Sequence, residues 1–120
     1  MSIESISAVT LLVRDMERAV GFYGSIGFER QYGGGEADFT CFRVGDGYLN
    51  LMHRPDFRPG HWGRVIFYVD DVDALYSLIV EKGLALQAPP RDAPWGERFF
   101  HLTDPDGHEL SFARPLTAGA

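Results

Sequence analysis

His53, His61, His101, His108 and Cys41 are the side chains of this chain that offer nitrogen or sulfur to a transition metal. No His-x-x-x-His or Cys-x-x-Cys spacing gathers two of them on one helix face or one turn. They lie on different loops and strands, so any convergence must come from tertiary folding. Cys41 has no sequence context that activates a thiolate, and its plain role is a small buried hydrophobe. Ser111 lies within a strand rather than at a nucleophile elbow, so no nucleophile–base–orienter triad is visible and no catalytic residue is assigned. What remains is stacking and charge. Phe39, Tyr48, Trp62, Tyr68, Trp95 and Phe99 offer flat walls to a planar ligand. Each ring–ring contact contributes about 0.5–1.5 kcal/mol beyond area burial. Micromolar binding needs about 8 kcal/mol, so several rings plus buried area suffice.

These side chains are carried by a unit that is written twice. Val13-Arg14-Asp15-Met16, leading to Gly27-Phe28, recurs as Val69-Asp70-Asp71-Val72, leading to Gly83-Leu84, at a constant offset of 56 residues. Asp46-Gly47 with Arg54-Pro55 recurs as Asp106-Gly107 with Arg114-Pro115, at an offset of 60. A repeat of this length is a supersecondary unit that cannot bury its apolar face alone. Two such units must pair, and the groove between them is the natural place for a ligand.

Each half reads β-α-β-β-β. Residues 6–13 form a first strand of β-branched and aliphatic residues. Asp15 caps a helix with Met16, Val20, Tyr23 and Ile26 on its buried side, and Gly27 stops it. In the second half, residues 64–69 form the strand and Asp71 the cap. Val72, Leu75, Leu78 and Ile79 make the stripe there, and Gly83 the stop. Strands at 39–44 and 48–53 flank the turn Gly45-Asp46-Gly47. Strands at 99–103 and 108–113 flank Asp104-Pro105-Asp106-Gly107. Weaker strands fall at 28–32 and 84–87. Residues 55–62 link the halves, Gly33-Gly34-Gly35 and Pro89-Pro90 are loops, and 116–120 read as a frayed end.

Period-two alternation then sorts the faces. Val9, Leu11, Val13, Leu49, Leu51, Phe42 and Val44 suit the helix-packed side of the first half. Val65, Phe67, Val69, Leu110, Phe112, Phe100 and Leu102 suit that of the second. The groove side receives Ala8, Thr10, Tyr48, Asn50, Phe39 and Cys41 from one half. From the other it receives Arg64, Ile66, Tyr68, Glu109, Ser111, Ala113, Phe99 and His101. A one-residue slip inverts any of these assignments.

The 120 residues suffice for one domain with a real core but not for a separate cofactor domain. A net charge of −6 leaves no basic stripe for phosphates, which argues against nucleic acid. An acidic surface is compatible with a cationic small ligand. One cysteine excludes an intramolecular disulfide and suits a reducing cytoplasm. No apolar run approaches the ~18 residues a membrane span needs, and the N-terminus shows no signal-peptide pattern.

The paired modules, the strand–Asp–helix openings and the closing Asp104-Pro105-Asp106-Gly107 hairpin resemble the vicinal oxygen chelate superfamily, which includes glyoxalases, extradiol dioxygenases and bleomycin-resistance proteins. The resemblance implies an α+β fold over residues 1–120, with module one at about 3–55 and module two at about 62–115. It implies a cupped mixed sheet with the helices outside. Enzymes of the superfamily carry metal ligands where this chain has Ala8, Arg64, Ser111 and Asn50. Alanine offers no ligand, arginine is a permanent cation, and serine and asparagine are poor neutral ligands. The family's metal site is therefore read as absent, with no cofactor expected. A relocated site using Cys41 or the histidines stays open.

Pro94-Trp95-Gly96-Glu97-Arg98-Phe99, running into the closing hairpin, is similar to the ligand loop of the bleomycin-resistance branch, whose members sequester drugs as dimers without a catalytic metal. That likeness implies a cytoplasmic homodimer that binds a hydrophobic or aromatic small molecule, cationic ones such as an antibiotic included. The expected ligand contacts are Phe39, Cys41, Tyr48, Asn50, Trp62, Arg64, Tyr68, Trp95, Phe99, His101, Glu109 and Ser111. Arg64 replaces a metal ligand with a fixed positive charge. Pairing with Glu109 would lower the cost of burying it, with Asn50, His101 and Ser111 as neutral hydrogen-bonding groups. A metal-dependent lyase, isomerase or dioxygenase is the alternative, and a module serving regulation or assembly is a third reading.

Overall fold

The computed structural model describes residues 1–84 and 88–116. The chain divides into two compact units, Met1–Pro59 and a second from Gly60 onward. Each is a four-stranded mixed sheet with one helix, the α+β arrangement expected from the repeat.

In the first unit β1 (Ala8–Val13) leads into α1 (Met16–Ser25), then β2 (Glu29–Tyr32), β3 (Phe39–Val44) and β4 (Gly47–His53). The sheet order is β1-β4-β3-β2, with β1 parallel to β4 and the other pairs antiparallel. The strand begins at Ala8 rather than at the expected Ile6, which is exposed. The Asp15 carboxylate accepts from the Arg18 amide at 3.1 Å, which satisfies one of the orphan donors of the first turn. The buried helical side is Met16, Ala19, Phe22 and Tyr23, whereas Val20, expected in the stripe, is only half-buried. Ile26 is buried just past the helix, and Gly27 follows at φ 107°, a left-handed stop that favours glycine. Tyr23 anchors an aromatic cluster with Phe22, Phe28 and Phe42 at centroid distances of 5.0–5.9 Å. Leu11, Val13, Leu49 and Leu51 complete the core on the same sheet face, as alternation requires.

The second unit repeats the plan with β5 (Arg64–Tyr68), α2 (Val72–Glu81), β6 (Arg91–Asp92), β7 (Glu97–Thr103) and β8 (Glu109–Pro115), in the order β5-β8-β7-β6. The Asp71 carboxylate caps α2 through the Ala74 amide at 3.0 Å. Val72 and Ile79 are buried, but Leu78 is exposed and Leu75 half-buried, so the stripe is narrower than its hydrophobicity suggests. Phe67, Phe100, Leu102, Leu110 and Phe112 form the core, with Phe112 between Phe67 (5.6 Å) and Phe100 (5.4 Å). Arg98 grips Asp73 of α2 through two hydrogen bonds of 2.9 Å and Asp92 of β6 through a third. These hydrogen bonds, and then the opposite charges, hold the Arg98 pKa above its ordinary value and that of Asp73 below it. The strand expected at 84–87 falls largely on 85–87, and the expected frayed end on 117–120, both outside the described residues.

The closing hairpin is held by its first side chain. Asp104 is buried, and its Oδ1 accepts the Asp106 and His108 amides at 2.9 Å each. The Gly107 amide closes the turn on the Asp104 carbonyl at 3.0 Å.

Candidate functional site

The face of the second-unit sheet opposite its aromatic core carries a cavity of about 370 Å³. Its lining comes from alternate positions of neighbouring strands: Arg64 and Ile66 of β5, Ser111 and Ala113 of β8, Glu97, Phe99 and His101 of β7. Arg91 of β6 and Trp95 of the β6–β7 turn complete it. Register explains the convergence. β8 runs parallel to β5, placing Glu109 beside Arg64 and Ser111 beside Ile66. β7 runs antiparallel to β8, placing His101 beside Ser111 and Phe99 beside Ala113.

The polar corner is built on Arg64. Its Nη1 donates to the Leu110 carbonyl at 3.0 Å and the Ser111 hydroxyl at 3.1 Å, and lies 3.0 Å from His101 Nδ1. Its Nη2 meets Glu109 Oε1 at 3.6 Å, an ion pair between two side chains that are each about one-third exposed or less. Ser111 Oγ is 2.6 Å from the same His101 nitrogen. With donors on two sides, Nδ1 accepts, so the proton of neutral His101 belongs on Nε2. Burial, and then the nearby charges of Arg64 and Arg91, hold the His101 pKa below its ordinary value, with Glu109 opposing. The imidazole is therefore neutral at pH 7.

The apolar side is a stack. Trp95 stacks on Phe99 at 5.7 Å with the planes 27° apart, Phe99 meets His101 at 5.1 Å, and the Arg91 guanidinium sits 4.6 Å over the Phe99 ring. Phe99 is thereby buried with Ala93 and Ala113 and serves as floor, while Trp95 is 69% exposed. The turn that presents Trp95 depends on Gly96 at φ 94°, whose amide bonds the Ala93 carbonyl at 3.0 Å. Glu97 locks the rim. Its carboxylate accepts from Trp95 Nε1 at 2.8 Å and from the Tyr68 hydroxyl. These two bonds, Tyr68 first, hold the Glu97 pKa below its usual range, and the carboxylate raises that of Tyr68.

Of the expected contacts, the cavity gathers Arg64, Trp95, Phe99, His101 and Ser111. Glu109 joins through Arg64, and Tyr68 through Glu97. Trp62 is elsewhere, donating its indole N–H to the buried His108 at 2.8 Å. Phe39, Cys41, Tyr48 and Asn50 belong to the first unit. There Cys41 stands beside Asn50 in register, and Asn50 donates to Thr10 Oγ1 at 3.3 Å. His53 is held by the Arg14 carbonyl at 3.2 Å. Sequence reasoning did not select Ile66, Arg91, Glu97 or Ala113 as contacts. Ile66 and Ala113 were on the correct face, and Glu97 is two residues before Phe99, so a longer β7 would have found it. Arg91 had no signal, because β6 is only two residues long.

The profile of the Glyoxalase/Bleomycin resistance protein/Dioxygenase superfamily matches residues 5–112, and the chain belongs to that superfamily. It is 28% identical over 123 residues to the uncharacterized protein YraH of Bacillus subtilis, covering 90% of this chain and 96% of that one. Among solved structures it resembles lactoylglutathione lyase from Agrobacterium tumefaciens, with a TM-score of 0.75, 19% identity and coverage of 93% and 94%. It resembles a bleomycin-binding protein complexed with bleomycin equally well, with a TM-score of 0.75, 22% identity and coverage of 93% and 98%. An enzyme and a binding protein share this backbone to the same degree, so the fold does not choose between them.

The side chains do not fit a divalent metal at the superfamily's positions. Ala8 has no donor, and Asn50 is bonded to Thr10. Arg64 places a fixed positive charge against the remaining donors, Ser111 Oγ and His101 Nδ1, and occupies their lone pairs. A second cation there would meet repulsion and no anionic ligand apart from Glu109, which already faces the guanidinium. Among the described residues, no three His, Cys, Asp or Glu side chains gather in a group able to hold a metal ion. No helix among them is long and apolar enough to cross a membrane.

Proposed function

We propose that this protein is a metal-independent binder that sequesters a planar aromatic small molecule on the open face of the second-unit sheet. The observation that carries the reading is the single cavity wall running from Trp95 through Phe99 to His101, closed by Arg64 at the position of a metal ligand. A stack with a hydrogen-bonded polar corner binds and orients. It presents no accessible nucleophile, since the Ser111 hydroxyl beside His101 is buried. The likeness to a bleomycin-binding protein is consistent with this reading and makes drug-like aromatics reasonable first probes.

The test is titration of purified protein with bleomycin and planar aromatics, followed by Trp95 fluorescence and calorimetry, before and after chelator treatment. Binding at micromolar concentration that survives chelation is the expected result. Stoichiometric metal in the purified protein, with binding or turnover abolished by the chelator, overturns the proposal in favour of a metal-dependent lyase or dioxygenase.

A further inference from the structure

The overall charge of −6 invites a cationic ligand, yet the cavity has the opposite balance. Two guanidinium groups, Arg64 and Arg91, line it directly against one carboxylate, Glu97, while Glu109 faces Arg64 from beside the lining and leaves Arg91 without a carboxylate of its own among the described residues. Both Glu97 oxygens already accept hydrogen bonds, from Trp95 and Tyr68, which hold the carboxylate toward the rim. Arg64 is less fully used. Nη1 makes the short contacts to Leu110, Ser111 and His101, whereas Nη2 reaches Glu109 only at 3.6 Å, beyond hydrogen-bond length. Arg91 is exposed and spends one face of its guanidinium on Phe99, leaving its in-plane N–H groups free to point elsewhere.

We infer that the natural ligand is an aromatic carboxylate of one or two fused rings, with its ring against the exposed indole of Trp95 and its anionic group between Arg64 and Arg91. The inference rests on the sequestration reading above and names the ligand class for that same site. A cavity of about 370 Å³ suits a molecule of that size. Arginine forks match a planar carboxylate, and each charge-assisted hydrogen bond to it is stronger than a neutral one.

The test is a matched series of one ring system: 2-naphthoate, 2-naphthamide and 2-naphthylmethylamine, titrated calorimetrically at pH 7.5. The acid is expected to bind about tenfold tighter than the amide, the difference expected of one net charge-assisted hydrogen bond, and the ammonium weakest of the three. Arg91→Gln, a change on an exposed side chain, weakens binding of the acid far more than binding of the amide and so removes most of the acid's advantage. An amide or ammonium that binds as tightly as the acid overturns the carboxylate assignment while leaving aromatic sequestration intact. Failure of all three, and of bleomycin, removes the sequestration reading and the assignment with it.

Discussion

Arg64 shows how one side chain can decide what a fold is able to do. Three neighbouring groups accept or meet its Nη1, and all were built around that cation. Arg64→Ala is therefore expected to destabilise the protein by about 1–3 kcal/mol in urea unfolding, because it strands buried acceptors, and to abolish ligand binding. Unchanged binding of every ligand would remove Arg64 from the site. His101 contributes through the opposite protonation logic. Its folded pKa lies below the ordinary 6.5, so the unfolded chain binds its proton more readily. Its stabilisation is complete above that value and is lost as pH falls through the folded pKa. Wild type should thus lose stability relative to His101→Asn as pH falls below the ordinary 6.5, as measured by thermal melts at stepwise lower pH. That Arg64, Glu109, His101 and Ser111 face the same side of the sheet was legible from strand alternation, and the pairing of Arg64 with Glu109 was suggested by the superfamily's ligand positions. The rim formed by Tyr68, Glu97 and Trp95 was not legible, because side-chain reach across two strands and a turn has no sequence period.

Among elements, the two helices are the most legible because their ends are chemical. Asp15 and Asp71 each offer a short carboxylate to an amide three residues ahead, and no tertiary contact is needed for that bond to form. Asp15→Ala and Asp71→Ala should each lower stability by about 1 kcal/mol in denaturant titrations. The stripes were less legible. Leu78 follows the apolar pattern of α2 yet is exposed, while Ala19, small and easily overlooked, is buried in α1. Hydrophobicity marks what can be buried, and the angle at which a helix lies on its sheet selects what is. Edge strands were the weakest case. β6 pairs only Arg91 with Phe99 and Asp92 with Arg98, too short a segment for alternation to register.

For the whole molecule, the repeated unit carries the argument, and its aromatic cores test it. Phe112→Ala removes a fully buried ring packed between two others and should cost about 3–5 kcal/mol, enough to unfold a marginal domain in circular dichroism. The superfamily likeness leads us to expect a homodimer, which light scattering would report as twice the mass of one chain. A monomer at all concentrations would refute it. Turns, caps and the inward and outward alternation of the strands were determined by the chain alone, because each arises from sterics and hydrogen bonds within a few residues. The meeting of Arg64 with His101 and Ser111, 37 and 47 residues away, was settled only by folding. Strand register brings such distant groups together, and register depends on the packing of both sheet faces at once.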